Sequence, residues 1–320
     1  MKRYQKWLAG TLAALGVLAT AGWWSLDKET RGLLKTMPTN RDLLFWSVPQ
    51  RDAAFRALDR ISLLAKWRVI EPAATPRPLP LGPPLSLPMD VDAYMSTQRS
   101  AALLVLHKGQ LRLERYGLDF DATGRWTSFS VAKSFTSTLV GAAVRDGYIR
   151  SLDDKVTDYL PQMKGSAYEQ VSVRQLLTMT SGVRWNEDYS DPQSDVAQFN
   201  NHKSTDGSPA IVSYLRQLPR EAPPGERWLY STGETNLVGI LLEQATGKNL
   251  STLLQEKIWQ PAGMERQATW LLSKTGQEIS GCCLQASARD YARFGQFILE
   301  GARVQGQPLL PDDWLAKATT

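Results

Sequence analysis

Ser130-Val131-Ala132-Lys133 sets a hydroxyl and an amine three residues apart. On a helix that is about one turn, so the Lys133 amine lies over the face that carries the Ser130 hydroxyl and, once neutral, can take its proton. A serine at a helix start also meets backbone N–H groups and the positive end of the dipole, which favour a developing oxyanion. The chemistry implied is nucleophilic attack by a serine that carries its own base. The bare pattern is weakly specific: 24 serines and 14 lysines in 320 residues yield about one such match by chance, and a second runs from Ser25 to Lys28. A serine at a helix start is also a favoured N-cap, so Ser130 has a purely structural reading beside the catalytic one. Other chemistries find less. The only histidines are His107 and His202, no G-x-S-x-G elbow occurs, and neither phosphate-binding glycine loop is present. Two isolated histidines and one cysteine pair match no metal-ligand spacing, so no metal or cofactor is expected.

The element that must position these side chains is a helix over residues 130–145, with Val131, Phe135, Leu139, Ala142 and Ala143 at helical spacing and Gly147 just beyond as a C-cap. Further helices are expected over residues 172–179, 209–218, 234–245 and 287–299, so most of the chain after Gly147 reads as helical. Residues 101–106 and 111–115 are β-rich, and His107-Lys108-Gly109-Gln110 between them signals a hairpin. Residues 72–88 contain seven prolines, too many for a helix or a central strand, and read as an extended linker or wrapping segment. Before it, Phe55, Leu58, Ile61, Leu64 and Ala65 predict an amphipathic helix over residues 51–65.

Apolar residues at 42%, charged residues at 22% and eleven tryptophans describe a globular protein long enough to bury a core. The net charge of +5 comes mostly from Lys2, Arg3 and Lys6, and the remainder is close to neutral, which gives no support to a nucleic-acid footprint. Residues 7–24 follow those cations without a formal charge and end on Trp23-Trp24. They predict a signal peptide, with Ala19-Thr20-Ala21 as a cleavage site, or an uncleaved membrane anchor. The body would then lie in the periplasm, tied to the inner membrane if the segment is retained. Adjacent Cys282 and Cys283 could close only a strained eight-membered ring, so they are expected as small packing residues.

Three segments in order add context to Ser130. They are Trp126-Thr127-Ser128-Phe129-Ser130-Val131-Ala132-Lys133-Ser134-Phe135, Leu176-Leu177-Thr178-Met179-Thr180-Ser181-Gly182 and Pro223-Pro224-Gly225-Glu226-Arg227-Trp228-Leu229-Tyr230-Ser231. Together they resemble the serine hydrolases related to class C β-lactamases, a family of β-lactamases, DD-peptidases, esterases and 6-aminohexanoate-dimer hydrolases. Asn186-Glu187-Asp188-Tyr189-Ser190-Asp191-Pro192 is similar to the last of these branches, and Ala286-Ser287-Ala288-Arg289-Asp290-Tyr291-Ala292-Arg293-Phe294-Gly295 to the wider family.

The resemblance implies an α+β, β-lactamase/transpeptidase-like fold: an antiparallel sheet that begins with the hairpin, flanked by helices and joined to a helical lobe, with the family's C-terminal strands missing. The chain is thus expected to divide into a signal or anchor (1–24), a juxtamembrane helical segment (25–70), a proline-rich linker (71–89) and, by the resemblance, a hydrolase domain (90–320). By the same resemblance Ser130 is the acylated nucleophile, Lys133 its base or relay, and Tyr230 the proton shuttle to the leaving group, while Tyr189 and Asp191 contact substrate. The box Tyr230-Ser231-Thr232 lacks the family's usual asparagine, which points toward amides or carboxylic esters as small-molecule substrates rather than β-lactams. Two alternatives are a peptidoglycan DD-peptidase and a catalytically impaired binding or scaffold protein. A class A β-lactamase arrangement would use Ser194-Asp195-Val196 and Lys274-Thr275-Gly276, but the first lacks its asparagine and the second sits in an exposed turn, so both read as chance matches.

Overall fold

The computed structural model describes residues 2–36, 43–60, 65–199 and 202–319. Contacts divide the chain into two units, Met1–Leu64 and Ala65–Thr320. The first contains α1 (Lys2–Ser25), α2 (Lys28–Lys35) and α3 (Val48–Phe55). Asp27 opens α2 by accepting from the backbone N–H groups of Glu29 and Thr30 at 3.0 Å, two donors that a helix start leaves open. Pro49 in the first turn of α3 starts that helix ahead of the expected residue 51, and it ends at Phe55. Ile61 and Leu64 of the expected apolar stripe lie outside the described residues.

The expected membrane anchor is corrected. Among the described residues no helix is long and apolar enough to cross a membrane. Gly10, Thr11, Gly16, Thr20 and Gly22, with the near-neutral indoles of Trp7, Trp23 and Trp24, dilute the leucines of α1. The single-pass inner-membrane location and the membrane partner fall with the anchor.

In the second unit β1 (Trp67–Ile70) precedes the proline-rich stretch, and α4 (Val91–Thr97), the hairpin β2 (Ala102–His107) and β3 (Gln110–Tyr116), and β4 (Trp126–Thr127) follow it. Next come α5 (Ala132–Arg145) and a helical lobe of α6 (Val156–Tyr159), α7 (Val173–Leu177), α8 (Asp195–Gln198), α9 (Ala210–Leu215), α10 (Thr232–Thr246) and α11 (Leu250–Leu254). The chain then forms β5 (Ala268–Leu271), β6 (Leu284–Ala286), α12 (Ala288–Leu299), the short pair β7 (Arg303–Val304) and β8 (Gln307–Pro308), and α13 (Trp314–Thr319).

An antiparallel sheet with flanking helices and a helical lobe is therefore present, in the order β1-β5-β6-β4, with Ile70 opposite Ala268 and Trp126 opposite Ala286. The hairpin forms where expected, and positive φ at both Lys108 (53°) and Gly109 (74°) matches a type I′ turn. It makes a separate two-stranded sheet, however, and the four-stranded sheet begins instead with β1. The proline-rich stretch wraps the unit in extended form, because its few free N–H groups find partners one at a time: Ala73 N donates to Met264 O at 2.9 Å and Arg77 N to Gly263 O at 2.8 Å.

α5 is held rigidly. Phe135 is fully buried and stacks on Phe294 of α12, ring centroids 3.8 Å apart, with Trp259 and Tyr291 around it. α12 is itself pinned by Asp290, which is buried and accepts from Glu265 N (2.7 Å), Arg266 N (3.0 Å), Ser287 Oγ (2.8 Å) and the Arg293 guanidinium (3.0 Å). Arg293 also donates to Arg77 O at 2.9 Å, which ties the proline-rich strap to the same knot. Asp290→Ala leaves the buried Arg293 guanidinium with Glu265 as its one remaining carboxylate among the ion pairs described, and two backbone donors without an acceptor. It should cost about 3–5 kcal/mol of stability, read as a lower urea midpoint; an unchanged midpoint would refute the role given to this network.

Candidate active site

Strand β4 delivers the chain to the site. Ser128 N donates to Leu284 O at 2.8 Å and Leu284 N returns a bond to Ser128 Oγ at 3.1 Å, so the residue before Phe129 is locked to β6. A single 3-10 turn, Phe129–Val131, then leads into α5, with Phe129 held at a φ of 42°. Ser130 lies in that turn, exposed, and Lys133 is half-buried in the first turn of α5. Lys133 Nζ donates to Ser130 Oγ at 3.2 Å, and Tyr230 Oη donates to the same oxygen at 2.8 Å. The ammonium also lies 5.0 Å from the centroid of the Tyr230 ring. All three residues expected to carry the chemistry are thus brought together.

Tyr230 arrives from 100 residues away through the other two motifs. Met179, at a φ of 55°, presents its carbonyl to Leu229 N (2.9 Å) and its sulfur to Ser231 N (3.4 Å), while Thr180 O accepts from Gly225 N at 2.7 Å. Gly182 takes a φ of 72° where a Cβ would fall on the carbonyl of Ala222, so only glycine lets the two segments lie this close. Ser231 then caps α10 by accepting from Glu234 N at 3.1 Å, which aims Thr232 back toward Lys133.

The remaining partners of the amine are Thr232 Oγ1 at 3.2 Å and Gly281 O at 2.8 Å. Thr232 stands where the family's box has asparagine, and its hydroxyl and backbone N–H both donate to Glu187, the latter at 3.0 Å. Glu187 escaped the sequence reading. It sits in the Asn186 to Pro192 loop, held also by the indole N–H of Trp185 and by Tyr189 Oη at 2.9 Å. Gly233 permits this docking, since a Cβ there would meet the Trp185 ring at 2.6 Å. The one sequence signal available was a glutamate inside a motif already singled out.

Tyr189 is 47% exposed and borders Tyr230; burial of its ring, reinforced by the Glu187 carboxylate, pushes its phenol up to about 12, so it stays a neutral donor. Asp191, by contrast, accepts from Gln193 N at 2.8 Å as a turn residue and makes no bond to the Ser130 cluster among those described. Ser194 is buried as the cap of α8, and Lys274 lies in the turn between bridged Leu272 and Glu278, so neither belongs to the cluster. His202 bonds Ser213 at 2.9 Å. The cysteine expectation is corrected: Cys282 and Cys283 are joined by a disulfide, not packed as thiols. Cys283 adopts a φ of 72°, and this backbone turn brings the two side chains to the same side. The pair sits between Gly281, which binds Lys133, and Leu284, which binds Ser128. Among the described residues, no group of three or more histidine, cysteine or acidic side chains is placed to hold a metal ion.

The Beta-lactamase family profile matches residues 90–320, and the chain belongs to that family. It is 30% identical over 231 residues to the 6-aminohexanoate-dimer hydrolase of Paenarthrobacter ureafaciens, a match that covers 71% of this chain and 58% of that protein. A β-lactamase of Pseudomonas fluorescens is 28% identical over 136 residues, 42% of this chain and 34% of its own length. The chain therefore spans little more than half of the first relative. Among solved structures, one from Bacillus anthracis, provisionally assigned as a 6-aminohexanoate-dimer hydrolase, superposes with a TM-score of 0.74 at 22% identity over 85% of this chain and 74% of that one. At that identity the likeness concerns the fold, which is β-lactamase/transpeptidase-like.

Beneath the site, Glu234 in the first turn of α10 is buried and accepts from Ser181 Oγ and from Tyr168 Oη at 3.3 Å, while its second oxygen has no hydrogen-bond partner among the described residues. Burial dominates over those two donors and pushes the carboxyl up to about 7. The folded state therefore holds this proton more tightly than the unfolded chain. The stabilisation is complete below the ordinary carboxylate value of 4.5 and is lost as pH rises through about 7. The loss amounts to about 3 kcal/mol. Glu234→Gln, which imitates the protonated form, should flatten this dependence: its urea midpoint rises relative to wild type at pH 8 and not at pH 4.5. An identical pH slope in both proteins would remove Glu234 as its source.

Proposed function

We propose that this chain is a serine hydrolase that cleaves amide or carboxylic ester bonds of small molecules through an acyl-enzyme on Ser130. The observation that carries this reading is the convergence of Lys133 Nζ, at 3.2 Å, and Tyr230 Oη, at 2.8 Å, on one exposed serine oxygen. Ser130 Oγ attacks the carbonyl carbon as its proton passes to Lys133, and the start of α5 favours the oxyanion that forms. The tetrahedral intermediate collapses when Tyr230 delivers its phenol proton to the departing nitrogen or oxygen. Lys133 then returns the serine's proton to Tyr230, which leaves both groups as they began. Water repeats the sequence on the acyl-enzyme and releases the acid.

The rim supports a small substrate with an apolar part. Trp228, 66% exposed, and Tyr189, 47% exposed, flank Tyr230 and offer flat aromatic surface beside a phenol donor. The similarity to a 6-aminohexanoate-dimer hydrolase points the same way, toward small amides.

Incubation with a fluorophosphonate, or with p-nitrophenyl acetate, should place a single adduct on the peptide that contains Ser130, detected by mass spectrometry. Ser130→Ala abolishes it, Tyr230→Phe lowers ester turnover by about 100-fold or more, and Lys274→Ala leaves turnover at the wild-type level. A folded sample without a Ser130 adduct, or a loss from Lys274→Ala as deep as that from Ser130→Ala, would overturn the assignment. Rapid labelling by a fluorescent penicillin would move the substrate class to peptidoglycan.

A further inference from the structure

Directed hydrogen bonds around Lys133 lead one step beyond the three residues that carry the reaction. Its nitrogen faces Ser130 Oγ at 3.2 Å, Thr232 Oγ1 at 3.2 Å and Gly281 O at 2.8 Å. A carbonyl oxygen can only accept, so one N–H is committed to Gly281. Thr232 has a single hydroxyl proton, and it is donated to Glu187. Toward the amine, therefore, Thr232 can only accept, which commits a second N–H. A neutral amine has two N–H bonds and one lone pair, so once Lys133 gives up the proton it donates to Ser130, the lone pair is left facing that serine. Ser130 Oγ already accepts from Tyr230, at 2.8 Å, which turns its own proton toward Lys133.

Glu187 is suited to hold this order. Its carboxylate accepts from four donors: Thr232 N at 3.0 Å, Thr232 Oγ1, the Trp185 indole and Tyr189 Oη at 2.9 Å. Each oxygen meets two of them, so the group is filled as an acceptor and offers Thr232 no proton in return. Neither Glu187 nor its bond to Thr232 touches the serine.

We propose that Glu187 is a positioning residue that sets the direction of proton transfer, acting through the Thr232 hydroxyl to keep the Lys133 lone pair on Ser130. Without the carboxylate, the Thr232 proton is free to rotate onto that lone pair and compete with the serine. The proposal rests on the acyl-enzyme reading above and concerns the rate of acylation, not the affinity for substrate.

The test follows fluorophosphonate inactivation of the full chain, separating the limiting rate from the half-saturating concentration, in Glu187→Gln, Thr232→Val, Thr232→Ser and the double variant Glu187→Gln/Thr232→Val. Glu187→Gln and Thr232→Val should each lower the limiting rate by about 10- to 100-fold with half-saturation within about threefold of wild type. Thr232→Ser, which keeps a hydroxyl, should recover most of that loss. The double variant should be no slower than Thr232→Val alone, because the hydroxyl that Glu187 orients is already gone. Losses that multiply in the double variant, or a Glu187→Gln effect confined to half-saturation, would overturn the proposal and leave Glu187 as a loop tether. If Glu187→Gln loses its native circular dichroism, the Val and Ser pair at Thr232 decides alone: equal rates there refute the relay. Wild-type protein without a Ser130 adduct would instead refute the acyl-enzyme reading, and the relay with it.

Discussion

Lys133 Nζ is bonded to three oxygen atoms from three separate stretches of chain: Ser130 Oγ in the turn before α5, Thr232 Oγ1 at the start of α10, and Gly281 O in the loop before β6. Nitrogen–oxygen bonds tolerate only a few tenths of an ångström, so the three stretches must be positioned to that precision together. The join between sheet and lobe serves this end. Ser128 is bonded in both directions to Leu284, which places the turn that bears Ser130 against the strand that follows Gly281. Phe135, one turn further along α5, is locked between Phe294 and Trp259. The amine is thus a point at which the register of β6, the rotation of α5 and the cap of α10 are all sensed.

Buried polar groups secure those elements from below. Asp290 and Arg293 fasten α12 to the entrance of β5 and to the proline-rich strap, with every acceptor of the aspartate engaged. Glu234 fastens α10 to the Ser181 turn with one oxygen only, and its burial makes it more readily protonated. The first network is fully satisfied and static. The second lies two residues from Thr232 and carries a charge that varies near neutral pH, so the floor of the site is coupled to solvent conditions in a way that its walls are not.

Much of this arrangement was legible in the chain. The Ser130 and Lys133 pairing, the hairpin turn at Lys108 and Gly109, and the helices α5, α10 and α12 follow from interactions within one turn or between adjacent residues. Apolar spacing and the φ preference of glycine record such interactions directly. Tyr230 was legible only through the resemblance of its segment to a known motif, since nothing local distinguishes it from a core tyrosine. Glu187 was passed over because an Asn- and Asp-rich loop has the composition of any surface turn. Charge-free length was over-read at the N-terminus, where no helix among the described residues is long and apolar enough to cross a membrane.

What the sequence determined by itself is therefore the local alphabet of the site: a serine and a lysine one helical turn apart, and the helices that bury what lies behind. Tertiary structure alone decided which distant groups meet them. Thr232 lies 99 residues from Lys133, Gly281 lies 148, and Glu187 reaches Thr232 across 45. The disulfide belongs with these despite joining neighbours, because it goes with a φ of 72° at Cys283, a backbone conformation that nothing in the cysteine pair itself announces. Bonds across such separations carry no periodicity or spacing in the chain; they exist only because burial of the apolar faces of α5, α10 and α12 brings their polar ends to one point.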